Sequence, residues 1–125
     1  MYKQPLRPDR LRRVPAQFSW VDHRLVREGH LRRVTPEGLA LYLFLVTVAD
    51  AQGMSYYGDR RCAQHLGMDV CALRGARDAL IDAGLIAYEH PLYQVLGLDR
   101  APALPRGGEA QSLAQILTKM GEVQS

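Results

Sequence analysis

The chain has 125 residues and a mass of 14.0 kDa, enough for one domain with a single hydrophobic core. Hydrophobic residues make up 47% of it and charged residues 23%, a balance typical of a folded globular protein rather than a disordered one. The longest apolar run, residues 39–49, is too short to span a membrane, and the basic N-terminus lacks the apolar core of a secretory signal. With only two cysteines in addition, we expect a cytoplasmic protein with reduced thiols and no membrane partner.

The net charge of +3 is distributed unevenly along the chain. Residues 1–34 carry nine Lys and Arg against three acidic residues, whereas residues 35–98 carry four against seven. The first fifteen residues also contain three prolines and show no hydrophobic periodicity. We therefore predict a flexible basic arm at residues 1–15.

The first elements after the arm are short, and a long helix follows them. Residues 17–21 predict a brief extended piece, and residues 22–28 predict a helical turn. The long helix is predicted at residues 36–51, with Thr35 as its N-cap and Gly53 as its C-cap. Because this helix is apolar on nearly every side, we expect it to be buried at the centre of the domain.

Two further helices and a hairpin are predicted next. A short helix at residues 59–66 and a longer one at residues 70–83 flank a glycine turn at Gly67. Strands at residues 85–89 and 93–98 are predicted to pair as a hairpin around a proline turn. The apolar face of the longer helix consists of Leu73, Ala76 and Leu80.

The end of the chain is predicted to lie outside the domain, which covers residues 16–98. Residues 99–109 are rich in proline and glycine and predict a linker. Residues 110–125 predict an amphipathic helix, at about 110–120, with an apolar face formed by Leu113, Ile116, Leu117 and Met120. Such a face needs a groove or a partner, so we expect this helix to bind its own domain, a second copy of the chain or another protein.

The order long helix, short helix, glycine turn, longer helix and hairpin predicts a winged helix-turn-helix. In this motif a small residue lies where the two helices touch, and Ala63 occupies that position. Gly67 suits the left-handed turn between the helices, and Leu73 fills the cleft between them. The remaining inward positions are Cys62, Leu66, Met68 and Ala76. The predicted fold class is therefore mainly α with a small β-hairpin, plus an extra C-terminal helix.

Residues 18–98 resemble the winged-helix domains of plasmid and phage replication initiators, and also small winged-helix proteins associated with bacterial mobile elements. The resemblance rests on FSWV at the start, TPEGLALYLFL in the first helix, CAQHLGMD at the turn and ALIDAGLI before the wing. It implies binding of double-stranded DNA by a regulator or accessory factor of a replicating or mobile element. The reading helix departs from the family pattern because it begins DVCALRG, which places Asp69 near the DNA phosphates.

The outward face of the longer helix carries the candidate DNA-reading residues. Arg74 is the best candidate for reading a base, because arginine pairs bidentately with guanine in the major groove. Arg77, three residues further on, is a candidate for a phosphate or a base. Val70 and Cys71 are candidates for contact with a thymine methyl group.

Candidate phosphate-binding residues lie on the shorter helix and on the arm. Those on the helix are Arg60, Arg61 and Gln64. On the arm, Arg7, Arg10, Arg12 and Arg13 would add affinity that depends on salt but not on DNA sequence. The alternatives are a solvated helix face on which Arg74 pairs with Asp78, and an arm that serves only as a solubilising tail.

The sequence argues against an enzyme or a metal centre. Cys62, His65 and Cys71 lie close together but fit no common zinc spacing. No serine lies in a nucleophile motif, and no phosphate-cradling loop is present. We therefore expect no catalytic activity, metal or other cofactor. The competing function is a protein-interaction module with the same fold, which the acidic balance of residues 35–98 favours.

Overall fold

Four α-helices and a three-stranded antiparallel sheet make up residues 3–99, the part of the chain that the structure, a computed structural model, describes. In chain order they are α1 (Arg24–Arg27), α2 (Pro36–Val48), β1 (Met54–Tyr56), α3 (Asp59–Leu66), α4 (Val70–Asp82), β2 (Ile86–Glu89) and β3 (Leu92–Val95). Short 3-10 helices span Pro8–Arg10 and His30–Arg33. The architecture is therefore mixed α and β, with one strand more than the predicted hairpin.

The N-terminal segment has no strand and lies open to solvent. Residues 3–21 are exposed throughout, and the extended piece predicted at residues 17–21 does not form a strand. The predicted linker at 99–109, beyond Asp99, and the predicted C-terminal helix at 110–125 lie outside the described residues. Within residues 3–99, every helix is too short or too polar to cross a membrane.

Helix α2 begins at its predicted cap but ends earlier than predicted. The Thr35 hydroxyl accepts a hydrogen bond from the Gly38 N–H at 3.1 Å, and a cap of this kind contributes about 1 kcal/mol. The helix ends at Val48, so the predicted C-cap at Gly53 is wrong. Gly53 instead has a φ of 85° and closes a turn by donating its N–H to the Asp50 carbonyl at 3.0 Å. This turn leads the chain into β1.

Helix α2 packs on the core with one face and leaves the opposite face exposed, whereas the sequence predicted a buried central helix. Leu43 is 62% exposed, because it lies opposite the face that packs on the core. Gly38 leaves room for Val34 at the start of α2, since a Cβ at position 38 would lie 2.5 Å from the Val34 side chain. The buried face consists of Gly38, Leu41, Tyr42 and Leu45.

The three strands are arranged in the order β1–β3–β2, so the last strand lies in the middle of the sheet. Tyr93 of β3 lies opposite Ser55 of β1 on one side and opposite Tyr88 of β2 on the other. The Tyr93 side chain is fully buried, with its ring centre 4.5 Å from that of Tyr88. Both predicted strands of the hairpin are confirmed, although β3 ends at Val95 rather than at residue 98.

One hydrophobic core joins the helices to the sheet. Burying a large apolar side chain completely stabilises a fold by about 1.5–3 kcal/mol, so this cluster accounts for much of the cohesion of the domain. The largest fully buried members are Tyr93, Leu41, Leu45, Leu73, Leu80, Leu85, Ile86 and Cys62. Because α3 and α4 both contribute to it, their outward faces are held in a fixed position relative to the sheet.

Candidate nucleic-acid interface

Helices α3 and α4 are joined by a tight turn whose backbone hydrogen bonds are satisfied. Gly67 has φ 65° and ψ 34°, the left-handed conformation that was predicted for it. Its N–H donates to the Gln64 carbonyl at 3.3 Å, and the Met68 N–H donates to the Ala63 carbonyl at 3.1 Å. These two bonds form a Schellman motif, which satisfies carbonyl groups at the end of α3.

The side chains at the helix crossing lie where the sequence predicted. Ala63 is 4% exposed and Leu73 is fully buried, so the small residue and the cleft-filling residue both face inward. Asp69 caps α4, and its carboxylate accepts the Ala72 N–H at 2.7 Å. The other predicted inward residues are buried or packed against the core: Cys62, Leu66, Met68, Ala76 and Leu80.

Three exposed arginines lie on the outward side of α3 and α4. They are Arg60 and Arg61 at the start of α3 and Arg74 in the middle of α4. The Arg74 side chain is 66% exposed, and its Nε lies 3.4 Å from a carboxylate oxygen of Asp59, which makes a loose ion pair. Gln64 and Cys71 are also exposed, as predicted. The surface formed by these five residues is called the α3–α4 face below.

Val70 and Arg77 differ from their predicted outward placement. Val70 is only partly exposed because its side chain packs against the hydrophobic core. The Arg77 side chain is only 11% exposed. Its Nη1 donates to a carboxylate oxygen of Asp59 at 2.8 Å and to the Tyr93 hydroxyl at 3.0 Å, and its guanidinium lies 4.2 Å from the centre of the Tyr88 ring. Arg77 therefore links α4 to the start of α3 and to both strands of the hairpin.

Asp59 is the polar residue of this region that the sequence did not reveal. Its carboxylate contacts both Arg74 and Arg77, which follow it by 15 and 18 residues, so no local pattern predicts the pairing. The hydrogen bond from Arg77 lowers the pKa of Asp59, and partial burial opposes this effect. Asp59 therefore stays ionised at neutral pH, holds Arg77 at 2.8 Å and contacts Arg74 only loosely at 3.4 Å.

Acidic residues reduce the positive charge of the α3–α4 face. Asp78 lies one helical turn beyond Arg74 and is exposed, and so is the capping residue Asp69. Arg74 lies against Asp59 rather than forming the alternative pair with Asp78. Asp82, one turn beyond Asp78, is exposed as well. With Asp59 and Arg77 neutralising each other, the three exposed arginines of α3 and α4 are matched by three exposed carboxylates, so the charge of these helices is balanced.

The predicted arm residues Arg12 and Arg13 are exposed and lie in a stretch without regular secondary structure. Nearby, Arg7 pairs with Asp9 at 2.9 Å, which neutralises part of the charge of the arm. The arm arginines and the arginines of α3 and α4 therefore lie on different segments of the chain. Their common role stays a prediction.

The two cysteines and the histidine between them face different surroundings. Cys62 is fully buried, and burial raises the pKa of its thiol to about 11, whereas Cys71 is exposed. The ring of His65 stacks on Phe44, with ring centres 5.3 Å apart. Among the residues from 3 to 99, no three His, Cys, Asp or Glu side chains are grouped closely enough to hold a metal ion.

Comparison with known proteins gives no relative: no protein-family model matches the chain, and neither a curated protein nor a solved structure matches it. The geometry of α3, α4 and the hairpin is therefore the basis for the function proposed below.

Proposed function

We propose that this chain is a winged helix-turn-helix protein that binds double-stranded DNA sequence-selectively, with α4 in the major groove and the β2–β3 hairpin as its wing. The observation that carries the proposal is the α3–turn–α4 unit. Ala63 is buried at the crossing, Gly67 is left-handed, and Leu73 is fixed in the core. A helix-turn-helix requires this arrangement to hold its reading helix rigidly. The resemblance to replication-initiator and mobile-element proteins suggests a regulator or accessory factor of such an element.

Arg74 is the proposed base-reading residue. Its side chain is mostly exposed, and its 3.4 Å contact with Asp59 is loose enough for the guanidinium to turn toward a guanine edge. A good bidentate pair of this kind discriminates against a wrong base by about 1–3 kcal/mol. Cys71 lies one turn earlier on the same face and presents a small, weakly polar side chain that suits a thymine methyl group.

The other exposed polar residues are proposed to position the protein on the phosphate backbone. Arg60 and Arg61 lie beside each other in the first turn of α3, with Gln64 one turn later. Contacts of this type set orientation without reading sequence. Arg12 and Arg13 of the arm would add further affinity that falls as salt increases.

Selection from a random duplex pool, followed by fluorescence-anisotropy titration across a salt series, tests the proposal. We expect the native chain to enrich a sequence motif. Arg74→Ala should weaken binding to the selected duplex by about 5- to 150-fold, the equivalent of about 1–3 kcal/mol, and change binding to an unrelated duplex much less. Replacing Arg60 and Arg61 with Ala should instead weaken binding to both duplexes and make the salt slope shallower by about two.

Arg27→Ala is the matched control, because it removes an exposed arginine from α1 rather than from the α3–α4 face. It should leave the preference for the selected duplex unchanged. Lack of enrichment together with lack of binding at low salt would refute the proposal. Equal losses on both duplexes for Arg74→Ala would reduce the activity to non-specific adhesion.

A second candidate function is a protein-interaction module with the same fold. The exposed carboxylates of Asp69 and Asp78 favour it, since they lie at or beside the face that would meet DNA phosphates. Replacing both with their amides distinguishes the two functions. If the α3–α4 face contacts phosphates, the double variant should bind DNA more tightly than the native chain does. If this face does not contact DNA, the two proteins should have the same low affinity.

A further inference from the structure

A groove of about 440 Å³ separates the N-terminal segment from α2 and from the chain that leaves β3. Its volume lies within the range of about 300–1,000 Å³ typical of ligand-binding pockets, so it can hold several side chains. No residue of α3 or α4 lines it, which makes it a surface distinct from the α3–α4 face. Its largest apolar lining residues are Phe18, Trp20, Tyr42, Leu96 and Leu98.

Two aromatic side chains in one wall of the groove are largely exposed to water. Phe18 is 67% exposed and Trp20 is 75% exposed, although neither contributes to the core. Large apolar side chains that lie together on a surface usually mark a binding surface. An apolar occupant therefore suits this groove better than a charged one.

The chain reaches the boundary of the described residues at the rim of this groove. Leu96 and Leu98 form part of its wall, and the Asp99 carboxylate pairs with Arg24. The same guanidinium also binds Asp22 at 2.6 Å, so the exit point is tied to α1. The described part of the chain therefore ends beside the apolar walls.

We propose that the C-terminal segment, residues 110–120, binds in this groove of its own chain. Its apolar residues recur at helical spacing and would form the contact: Leu113, Ile116, Leu117 and Met120. Thirteen residues separate Asp99 from Leu113, and a random coil of that number of residues would span about 20 Å on average. The segment therefore reaches the groove without strain.

The covalent connection between the groove and the segment favours the segment of the same chain over that of a second copy as the occupant. A short linker gives an effective concentration on the order of millimolar, so intramolecular binding exceeds intermolecular binding when the protein is micromolar. The inference does not depend on DNA binding, because the groove and the α3–α4 face share no residue.

Trp20 is the single tryptophan of the chain and lies in the groove wall, so its fluorescence reports on the occupant directly. The test compares the full-length protein with Leu117→Asp, which places a charge on the apolar face of the segment. We expect the variant to shift Trp20 emission to longer wavelength and to increase its quenching by acrylamide. Gln115→Asp adds the same charge on the opposite face of the predicted helix and should change neither property.

Far-UV circular dichroism and sedimentation on the same samples complete the test. The unfolding transition of the domain should be retained in both variants, which separates loss of docking from loss of the fold. Identical Trp20 spectra and quenching in all three proteins would overturn the proposal. Shielding of Trp20 that grows with protein concentration, together with a dimer in sedimentation, would also overturn it, since a second copy would then be the occupant.

Discussion

The Arg77 side chain connects α4 with α3 and with both strands of the hairpin. Its guanidinium pairs with Asp59 of α3, donates to Tyr93 of β3 and lies over the ring of Tyr88 of β2. Arginine suits this role because its planar group donates several hydrogen bonds while stacking on an aromatic face. Through these contacts Arg77 fixes the hairpin relative to α3 and leaves Arg74 as the exposed arginine of α4.

The pairing of Asp59 with Arg77 predicts a loss of stability in acid. Because Arg77 lowers the pKa of Asp59 in the folded protein, the folded state binds fewer protons than the unfolded chain. The stabilisation is therefore complete above the unfolded pKa of about 4 and is lost as the pH falls through the lower folded value. Urea unfolding at pH 7 and pH 3 should show a smaller acid-induced loss for Asp59→Asn than for the native chain.

Asp78→Asn is the control for that prediction. It removes an exposed carboxylate from α4 and should leave the acid-induced loss as large as in the native protein. If Asp59→Asn lost as much stability between pH 7 and pH 3 as Asp78→Asn does, the pair with Arg77 would not contribute to acid sensitivity.

At the scale of elements, three glycines differ in backbone conformation and in the space available for a Cβ. Gly67 ends α3 at φ 65°, with open space where a Cβ would lie. Gly53 lies before β1 at φ 85°, and a Cβ there would be 2.7 Å from the carbonyl oxygen of Val95. Gly75 lies inside α4 with open space around it and an ordinary helical backbone.

These differences predict a fixed order of stability for three alanine variants. Gly75→Ala should stabilise the protein by about 0.5–1 kcal/mol, because alanine favours a helix interior over glycine. Gly67→Ala should cost about 1–2 kcal/mol for its left-handed backbone. Gly53→Ala should cost about 3 kcal/mol, because the clash with the β3 backbone adds to the same strain. Thermal unfolding followed by circular dichroism ranks the three, and equal costs at positions 53 and 67 would contradict the role assigned to the contact with Val95.

Local chemistry explains which elements the sequence could predict. Thr35, Gly67 and Asp69 each act on neighbouring backbone groups, so the start of α2, the end of α3 and the start of α4 follow from local residues. Strand β1 was missed because its three residues form a strand only by pairing with β3, some forty residues later. The inward position of Arg77 was missed for the same reason, since its partners come from other elements.

At the scale of the whole molecule, the charge distribution suggests different roles in DNA binding for the arm and for the α3–α4 face. The positive excess lies in residues 1–34, while the α3–α4 face belongs to a region with an acidic balance. We therefore expect the arm to supply most of the salt-dependent affinity for DNA and α4 to supply the selectivity. This division requires that α3 and α4 stay fixed to the core while the arm engages the backbone.

Labelling of the two cysteine thiols can test whether α3 and α4 stay fixed to the core. Cys62 is fully buried in the core, and burial raises the pKa of its thiol to about 11, so it should react with a thiol reagent only when the domain opens. Cys71 is exposed on α4 and should react at once. In a Cys71→Ser variant, the free energy of opening obtained from Cys62 labelling should equal the free energy of unfolding obtained by circular dichroism, because one core joins α3 to the other elements. Labelling much faster than global unfolding would mean that α3 opens by itself. A recognition unit that opens independently would not hold Arg74 in register with a base, so this outcome would also weaken the case for sequence-selective DNA binding.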